Sequence, residues 1–348
     1  MFTREDLEAT SRWLGGLLLP TPQLAWPLLA ERYGAAEVWV KHENHLPTGA
    51  FKVRGGLHYL EHLRREEPGF SGVITATRGN HGQSIAFAAR RLGLRAVIVV
   101  PQGNSREKNR AMRALGAELV EAGHDFQAAR EHSVQLAERE GLHLIPSFHP
   151  LLVRGVATYG LEWLRAVPGL HTVYVPIGMG SGICGVIAAR DALGSATRVV
   201  GVVAERAPAY ALSFGAGHPV ATERADTFAD GIATRSPDPE ALAIIRQTRG
   251  KIVKAILETG YLDDRQKFGA ARAVSEAGVP YVKTCTGFGP GMATPHDVAL
   301  ICQAVGTKSL VKASGGIKSR EQAVELLAAG AAVLGTSQGP VICSDAGI

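Results

Sequence analysis

The sequence predicts an α/β fold of parallel strands joined by helices. Short β-rich runs alternate with longer helical stretches along all 348 residues, and strands separated by helix-length segments connect as right-handed βαβ units. Glycine-rich turns follow several of those runs directly, where a strand hands over to a helix. Apolar residues make up 46% of the chain, enough for one large or two medium cores. Periodicity alone leaves two architectures open, an open doubly wound sheet and a barrel.

In chain order, the strand candidates are GVITAT (72–77), RAVIVVP (95–101), TVYVPIG (172–178), RVVGVVAE (198–205), IVKAIL (252–257), YVKTCTG (281–287), SLVKASGG (309–316) and AAVLGTS (331–337). Their Val and Ile content suits a pleated, buried surface. GQSIAFAARRLG (82–93) and SREQAVELLAAG (319–330) are the clearest helices between them. Trp13, Trp26, Trp39 and Trp163 all precede Gly250 and no tryptophan follows it, a first sign of a compositional seam.

Several function classes are disfavoured. Net charge is +5, from 37 Lys plus Arg against 32 Asp plus Glu; after Gly250 the balance is 10 against 8, so neither part is a basic tail that would ask for nucleic acid. No long apolar run would span a bilayer, and the opening MFTREDLEATSRWLGG lacks the basic-then-apolar layout of a secretion signal, so a cytoplasmic location is expected. Cys184, Cys285, Cys302 and Cys343 stand far apart without a CxxC pair, which argues against a disulfide scaffold or a metal site.

The chemistry concentrates on lysines. HENHLPTGAFKVRGG centres on Lys52, between Thr48-Gly49 and Gly55-Gly56, a flexible approach on both sides. A lysine that condenses with an aldehyde must shed its proton and meet a bound carbonyl, so it sits among glycines and polar anchors. TRGNHGQ (77–83) follows a strand and opens a helix, where backbone N–H groups point at an anion. PIGMGSGICG (176–185) does the same, and its Gly178, Gly180, Gly182 and Gly185 let amides wrap a phosphate. A single glycine turn is a weak signal, whereas these turns together with Lys52, in this order, are far more specific.

On these motifs, residues from about 15 to 247 resemble a fold-type II pyridoxal-phosphate enzyme of the threonine/serine dehydratase group. The resemblance implies a two-domain parallel-sheet architecture, with residues 1–40 and 148–250 as a larger domain and 41–147 as a smaller one inserted into it. It implies pyridoxal 5'-phosphate as cofactor, Lys52 as the lysine that joins it and Phe51 as flanking support. Asn80 would contact the cofactor's ring hydroxyl, and Gly178, Met179, Gly180, Ser181 and Gly182 would hold its phosphate. Thr77, Arg78, Gly79 and His81 would hold the substrate carboxylate. ADGIA (229–233) also matches. The phosphate turn has GMGSG where the family has a run of glycines, so Met179 and Ser181 need ordinary backbone angles. Arg78 stands where racemases of the family carry a serine, which favours elimination over racemisation. The family's terminal strand and SGGN-like turn, facing the pyridine nitrogen, has no counterpart after Ile245.

From Lys251 to Gly339 the text instead resembles the C-terminal half of a class I deoxyribose-phosphate aldolase, a TIM barrel. That resemblance implies Lys283 as the carbonyl-binding lysine and Lys312 as the neighbouring cation that lowers its pKa. Gly287, Gly315, Gly316 and Ser337 would form a phosphate cradle at the strand ends. Four strand segments stand where a barrel needs eight, and Asp263 and Asp264 do not match the position of the proton-relay aspartate. Residues 251–348 are therefore expected to form half a barrel of βα units, and the whole chain a chimera. Ser314-Gly315-Gly316 echoes the missing dehydratase turn, which would place Ser314 at the pyridine nitrogen.

Three functions follow: a pyridoxal-phosphate dependent dehydratase of small hydroxy amino acids, impaired by its replaced terminus; an incomplete deoxyribose-phosphate aldolase; or a non-catalytic scaffold that binds a phosphate ligand. The expected partner is a small-molecule substrate, and both resemblances imply homo-oligomers.

Overall fold

A computed structural model describes residues 1–67, 69–247, 254–276, 279, 281–287, 289–339 and 342. The seam expected near Gly250, Phe288 of the YVKTCTGFGPG motif, and Cys343 lie outside the described residues. The first elements are α1 (Arg4–Gly15), β1 (Gln23–Ala25), α2 (Pro27–Tyr33), β2 (Trp39–Lys41), α3 (Lys52–Glu66), β3 (Val73–Ala76), α4 (Asn80–Leu92) and β4 (Ala96–Val100). They continue as α5 (Arg106–Ala114), β5 (Glu118–Glu121), α6 (Phe126–Glu140), β6 (His143–Leu144), α7 (Pro150–Ala166), β7 (Thr172–Pro176), α8 (Ser181–Ala192) and β8 (Arg198–Val202). After these come α9 (Ala209–Ala216), α10 (Pro239–Gln247), β9 (Lys254–Ile256), α11 (Asp264–Glu276), β10 (Tyr281–Lys283), α12 (Pro295–Val305), β11 (Leu310–Ser314), α13 (Arg320–Ala328) and β12 (Val333–Gly335).

The chain forms two compact units. The first joins Met1–Gln23, Lys41–Val173 and Gly178–Val199. Its sheet runs β5-β4-β3-β6 with every pairing parallel. Alternate residues of β3 and β4 serve different cores: Val73, Ile98 and Val100 pack in one apolar cluster, and Ile74, Ala76, Val97 and Val99 in another with Ala129 and Leu136 of α6. Both faces are therefore covered, which is why these strands read as continuous apolar runs without a polar alternation. In the larger cluster, Val53, Leu57 and Leu60 of α3 meet Ile85, Ala86 and Ala89 of α4.

The second unit joins Leu24–Val40, Tyr174–Ile177 and Val200–Ile348. Its four-stranded sheet runs β12-β11-β10-β9, all parallel, each strand beside its neighbour in sequence. Val282, Val311 and Ala313 turn inward against Ala271 and Val274 of α11 and Val298 and Ile301 of α12. A capping box between Ser319 and Gln322 starts α13. Among the described residues no helix is long and apolar enough to cross a membrane.

The eight strand runs expected from sequence all contain strands. Four short strands had no sequence signal: β1, β2, β5 with glutamate at both ends, and two-residue β6. The last two are held at the sheet margins by ladder bonds that neighbours supply, such as Ile145 N–H to the Ile74 carbonyl at 2.8 Å.

Candidate active site

Lys52 is the first residue of α3, with Phe51 as its N-terminal cap. Gly49, at φ +65°, turns the chain into that helix. The sequence suggested that Gly55 and Gly56 give the lysine a flexible approach; the structure corrects this, because both mark tight helix crossings. A Cβ on Gly55 would lie 2.7 Å from the Leu152 carbonyl oxygen, and one on Gly56 would collide with Ser84 Oγ. Ser84 Oγ donates to the Lys52 carbonyl at 2.6 Å, so α4 fixes the turn that carries the lysine.

The Lys52 ammonium end is closely surrounded. Nζ lies 3.3 Å from Ser181 Oγ and 5.4 Å from the centroid of the Phe51 ring. Desolvation pulls its pKa down to about 8, so a useful fraction is neutral amine near neutrality. Ser181 opens α8, and Gly180 before it takes φ +102°. Among the described residues Glu258 is the sole non-glycine at positive φ, so Met179 and Ser181 keep ordinary angles and GMGSG needs no further glycine. The first amides of an α-helix lack partners within the helix and favour an anion. A half-buried, partly neutral lysine thus faces a turn whose amides suit an anion.

The TRGNHGQ turn lies in the same unit. Thr77 Oγ1 accepts from the Gly79 N–H at 2.9 Å and the Gly82 N–H at 3.3 Å, so this hydroxyl shapes the turn. Asn80 begins α4, Arg78 is exposed, and the stem of Lys108 lies against Gly79, where a Cβ would come within 2.5 Å of its Cδ. His81 is buried. Its Nε2 lies 3.1 Å from Thr75 Oγ1, whose own hydrogen goes to the Ile145 carbonyl at 2.8 Å. Nε2 therefore carries the proton and Nδ1 is left as an acceptor. Burial, with the Lys52 charge adding to it, pushes the imidazole down to about 3, so it stays neutral.

Sequence reasoning missed the ionic cluster behind Lys52. Arg54, two residues on, donates from Nε and Nη2 to Glu43 at 2.8 and 3.0 Å, and from Nη1 and Nη2 to Glu162 at 2.6 and 2.9 Å. Lys41 Nζ reaches Glu162 at 2.7 Å, giving two cations for two carboxylates. Arg54 also donates to Thr158 Oγ1 at 3.2 Å, which ties α3 to α7. Arg54 is buried, and a buried guanidinium must be paired.

In the second unit the strand register sets Lys283 directly opposite Lys312. A Cβ on Gly335 would meet Lys312 Cε at 2.9 Å. Gly287, Gly315 and Gly316 all take positive φ, and a Cβ on Gly287 would touch the Gly315 Cα at 3.4 Å. Thr336 Oγ1 donates to the Ile317 carbonyl at 2.6 Å, and Ser337 follows it exposed. Ser314, expected at the pyridine nitrogen, is buried and donates to the Cys285 carbonyl at 2.7 Å. Glu258 was not foreseen. It takes left-handed angles, accepts from the Thr286 N–H at 2.9 Å on Oε2, and leaves Oε1 buried without a hydrogen-bond partner among the described residues.

Comparison with known proteins gives one consistent picture for the first three quarters of the chain. A family model described as pyridoxal-phosphate dependent enzyme matches residues 16–261. An L-threonine ammonia-lyase of Thermotoga maritima is 33% identical over 248 residues, covering 71% of this chain and 61% of that protein. Threonine dehydratase 2 of Solanum lycopersicum is 38% identical over 206 residues, 59% of this chain and 34% of that one. The chain thus spans less than two thirds of the length of these curated relatives. Among solved structures, a threonine deaminase of T.th. superposes with a TM-score of 0.66 at 31% identity, covering 80% of this chain and 92% of that one. The processed threonine deaminase isoform 2 of Solanum lycopersicum gives 0.66 at 26% identity, over 94% and 88%.

Proposed function

The chain belongs to the family of pyridoxal-phosphate dependent enzymes, and on that premise we propose that it is a dehydratase, or ammonia-lyase, of small hydroxy amino acids such as threonine or serine. The observation that carries this reading is the contact of Lys52 Nζ with Ser181 at the head of α8. It sets a partly deprotonated lysine beside a turn built for an anion. Those are the two anchors that an aldehyde cofactor bearing a phosphate requires.

The residues fit the group. Lys52 would join its aldehyde, Phe51 would support it, and Gly178, Met179, Gly180, Ser181 and Gly182 would hold its phosphate. Asn80 would meet its ring hydroxyl. Bound there, pyridoxal phosphate supplies the sink for electrons released at the substrate α-carbon. The rest falls to the protein. Thr77, Arg78, Gly79 and His81 orient the substrate carboxylate. Lys52, with its pKa lowered to about 8, takes the α-proton on Nζ. The β-hydroxyl leaves as water, the released enamine tautomerises to an imine, and a second water hydrolyses that imine to a 2-oxo acid and ammonia. Arg78 in place of a serine on this loop offers no hydroxyl acid for the opposite face, which favours elimination over racemisation.

To test this, the chain is incubated with pyridoxal phosphate and L-threonine or L-serine, and 2-oxo acid release is followed. Turnover that disappears in Lys52→Ala supports the reading; no 2-oxo acid from either substrate, or unchanged turnover in Lys52→Ala, refutes it.

We propose that residues 1–40 with 148–250, 41–147 and 251–348 form the domains of the chain, that it is a chimera with half a barrel from about residue 251, and that it is a cytoplasmic homo-oligomer with no nucleic-acid or membrane partner. For the half-barrel, the register that sets Lys283 opposite Lys312 supports the pairing of these two lysines that an aldolase reading requires. Gly287, Gly315, Gly316 and Ser337 would be its phosphate cradle. Borohydride trapping with deoxyribose 5-phosphate marks Lys283 if this is right, and an unlabelled Lys283 removes it.

A further inference from the structure

We infer that Tyr159 is a positioning residue for the anion-binding turn at the head of α8, acting through the Gly182 carbonyl and the Phe51 ring. The inference rests on the cofactor reading above and goes beyond it, since no motif drew attention to Tyr159. Its hydroxyl donates to the Gly182 carbonyl at 3.1 Å, inside the first turn of α8. Its ring lies 5.7 Å from the Phe51 ring, tilted by 41°. Phe51 in turn covers the bare Cα of Gly182, where a Cβ would come within 3.0 Å of Phe51 Cζ. Tyr159 therefore touches both sides of the Lys52–Ser181 contact: the residue before the lysine and the residue after the serine.

The element that delivers the phenol is closely packed. Helix α7 meets α8 so closely that a Cβ on Gly160 would lie 2.9 Å from Ala189 Cβ, and one on Gly185 would lie 3.0 Å from the Ala157 nitrogen. On the other side of the same helix, Thr158 and Glu162 are held by Arg54 of α3. Tyr159 is 6% exposed, and burial pushes its phenol well above the ordinary range, so it remains a donor wherever the enzyme works. The Gly182 carbonyl already lies in a helical turn. A second donor on it anchors that turn, and with it the amides of Ser181 and Gly182, against α7. A phenylalanine would pack equally well and leave the turn without that anchor.

The test separates anchoring from packing by comparing two ligands. The purified chain and Tyr159→Phe are titrated with pyridoxal phosphate and with pyridoxal, which lacks the phosphate, and binding is read from the absorbance of the lysine-bound chromophore. Tyr159→Phe should weaken pyridoxal phosphate about 5-fold, one neutral hydrogen bond's worth, and leave pyridoxal unchanged. Phe51→Leu, which disturbs the lysine as well as the turn, should weaken both ligands, pyridoxal included. Tyr159→Met also removes the hydroxyl, must show the same loss of phosphate preference, and decides the matter if Tyr159→Phe does not fold. Wild-type preference retained in the tyrosine variants, or an equal loss for both ligands, overturns the role of Tyr159 while leaving the cofactor reading intact. A wild-type chain that takes up neither ligand overturns both.

Discussion

The lowered pKa of Lys52 makes a quantitative prediction about its reactivity. In the cofactor-free chain the perturbation is pH alone. With a pKa of about 8 instead of the ordinary 10.5, the neutral fraction at pH 7 rises from about one in three thousand to about one in ten, roughly 300-fold. Limited labelling with an amine-selective acylating reagent between pH 6 and 11, with the Lys52 peptide quantified by mass spectrometry, reads this directly. Crowding around Nζ lowers the absolute rate without moving the midpoint, so the midpoint is the observable. It should fall near pH 8. A midpoint above about pH 10 would rule out desolvation as what sets the protonation of this amine.

The same shift has a thermodynamic face. A lysine whose folded pKa is depressed binds fewer protons folded than unfolded between pH 8 and 10.5, so the cofactor-free chain should gain stability as pH rises through that window. Lys52→Met should then stabilise the first unit at pH 7 by up to about 3 kcal/mol, an advantage that vanishes near pH 10.5; a pH-independent difference in urea unfolding contradicts this. Arg54→Met strands Glu43 and Glu162 without their shared guanidinium and should cost about 3–5 kcal/mol, seen as a lower melting temperature, with a change below about 1 kcal/mol counting against the cluster. Gly182→Ala puts a methyl group 3.0 Å from Phe51 Cζ; repacking strain of about 1–3 kcal/mol should weaken pyridoxal phosphate binding at least several-fold in the same absorbance titration.

Much of the site was legible because its chemistry is local. Lys52, Asn80 and the GMGSG turn sit at junctions into helices that glycine and short polar residues mark directly, and Gly180 takes the left-handed angles such a turn needs. The Lys283–Lys312 pair came from the aldolase resemblance alone, and the parallel register sets the two residues opposite each other. What stayed hidden depends on distant partners. Tyr159 and Glu162 reveal themselves only when α7 is laid between α3 and α8, because a tyrosine or glutamate in an amphipathic helix carries no mark of what it will face. Gly55 and Gly56 read as flexibility in sequence and prove to be contact points, a distinction that needs the neighbouring helices. Glu258 was hidden by its backbone: left-handed angles at a glutamate have no local signature.

The central claim is that Lys52, and no other lysine of the chain, receives pyridoxal phosphate. The most direct measurement is to incubate the full chain with stoichiometric pyridoxal phosphate, reduce with borohydride, digest and map the added mass. Modification confined to the Lys52 peptide is the predicted result. Label on Lys283 or Lys312 in preference to Lys52, or no label at all, would contradict it.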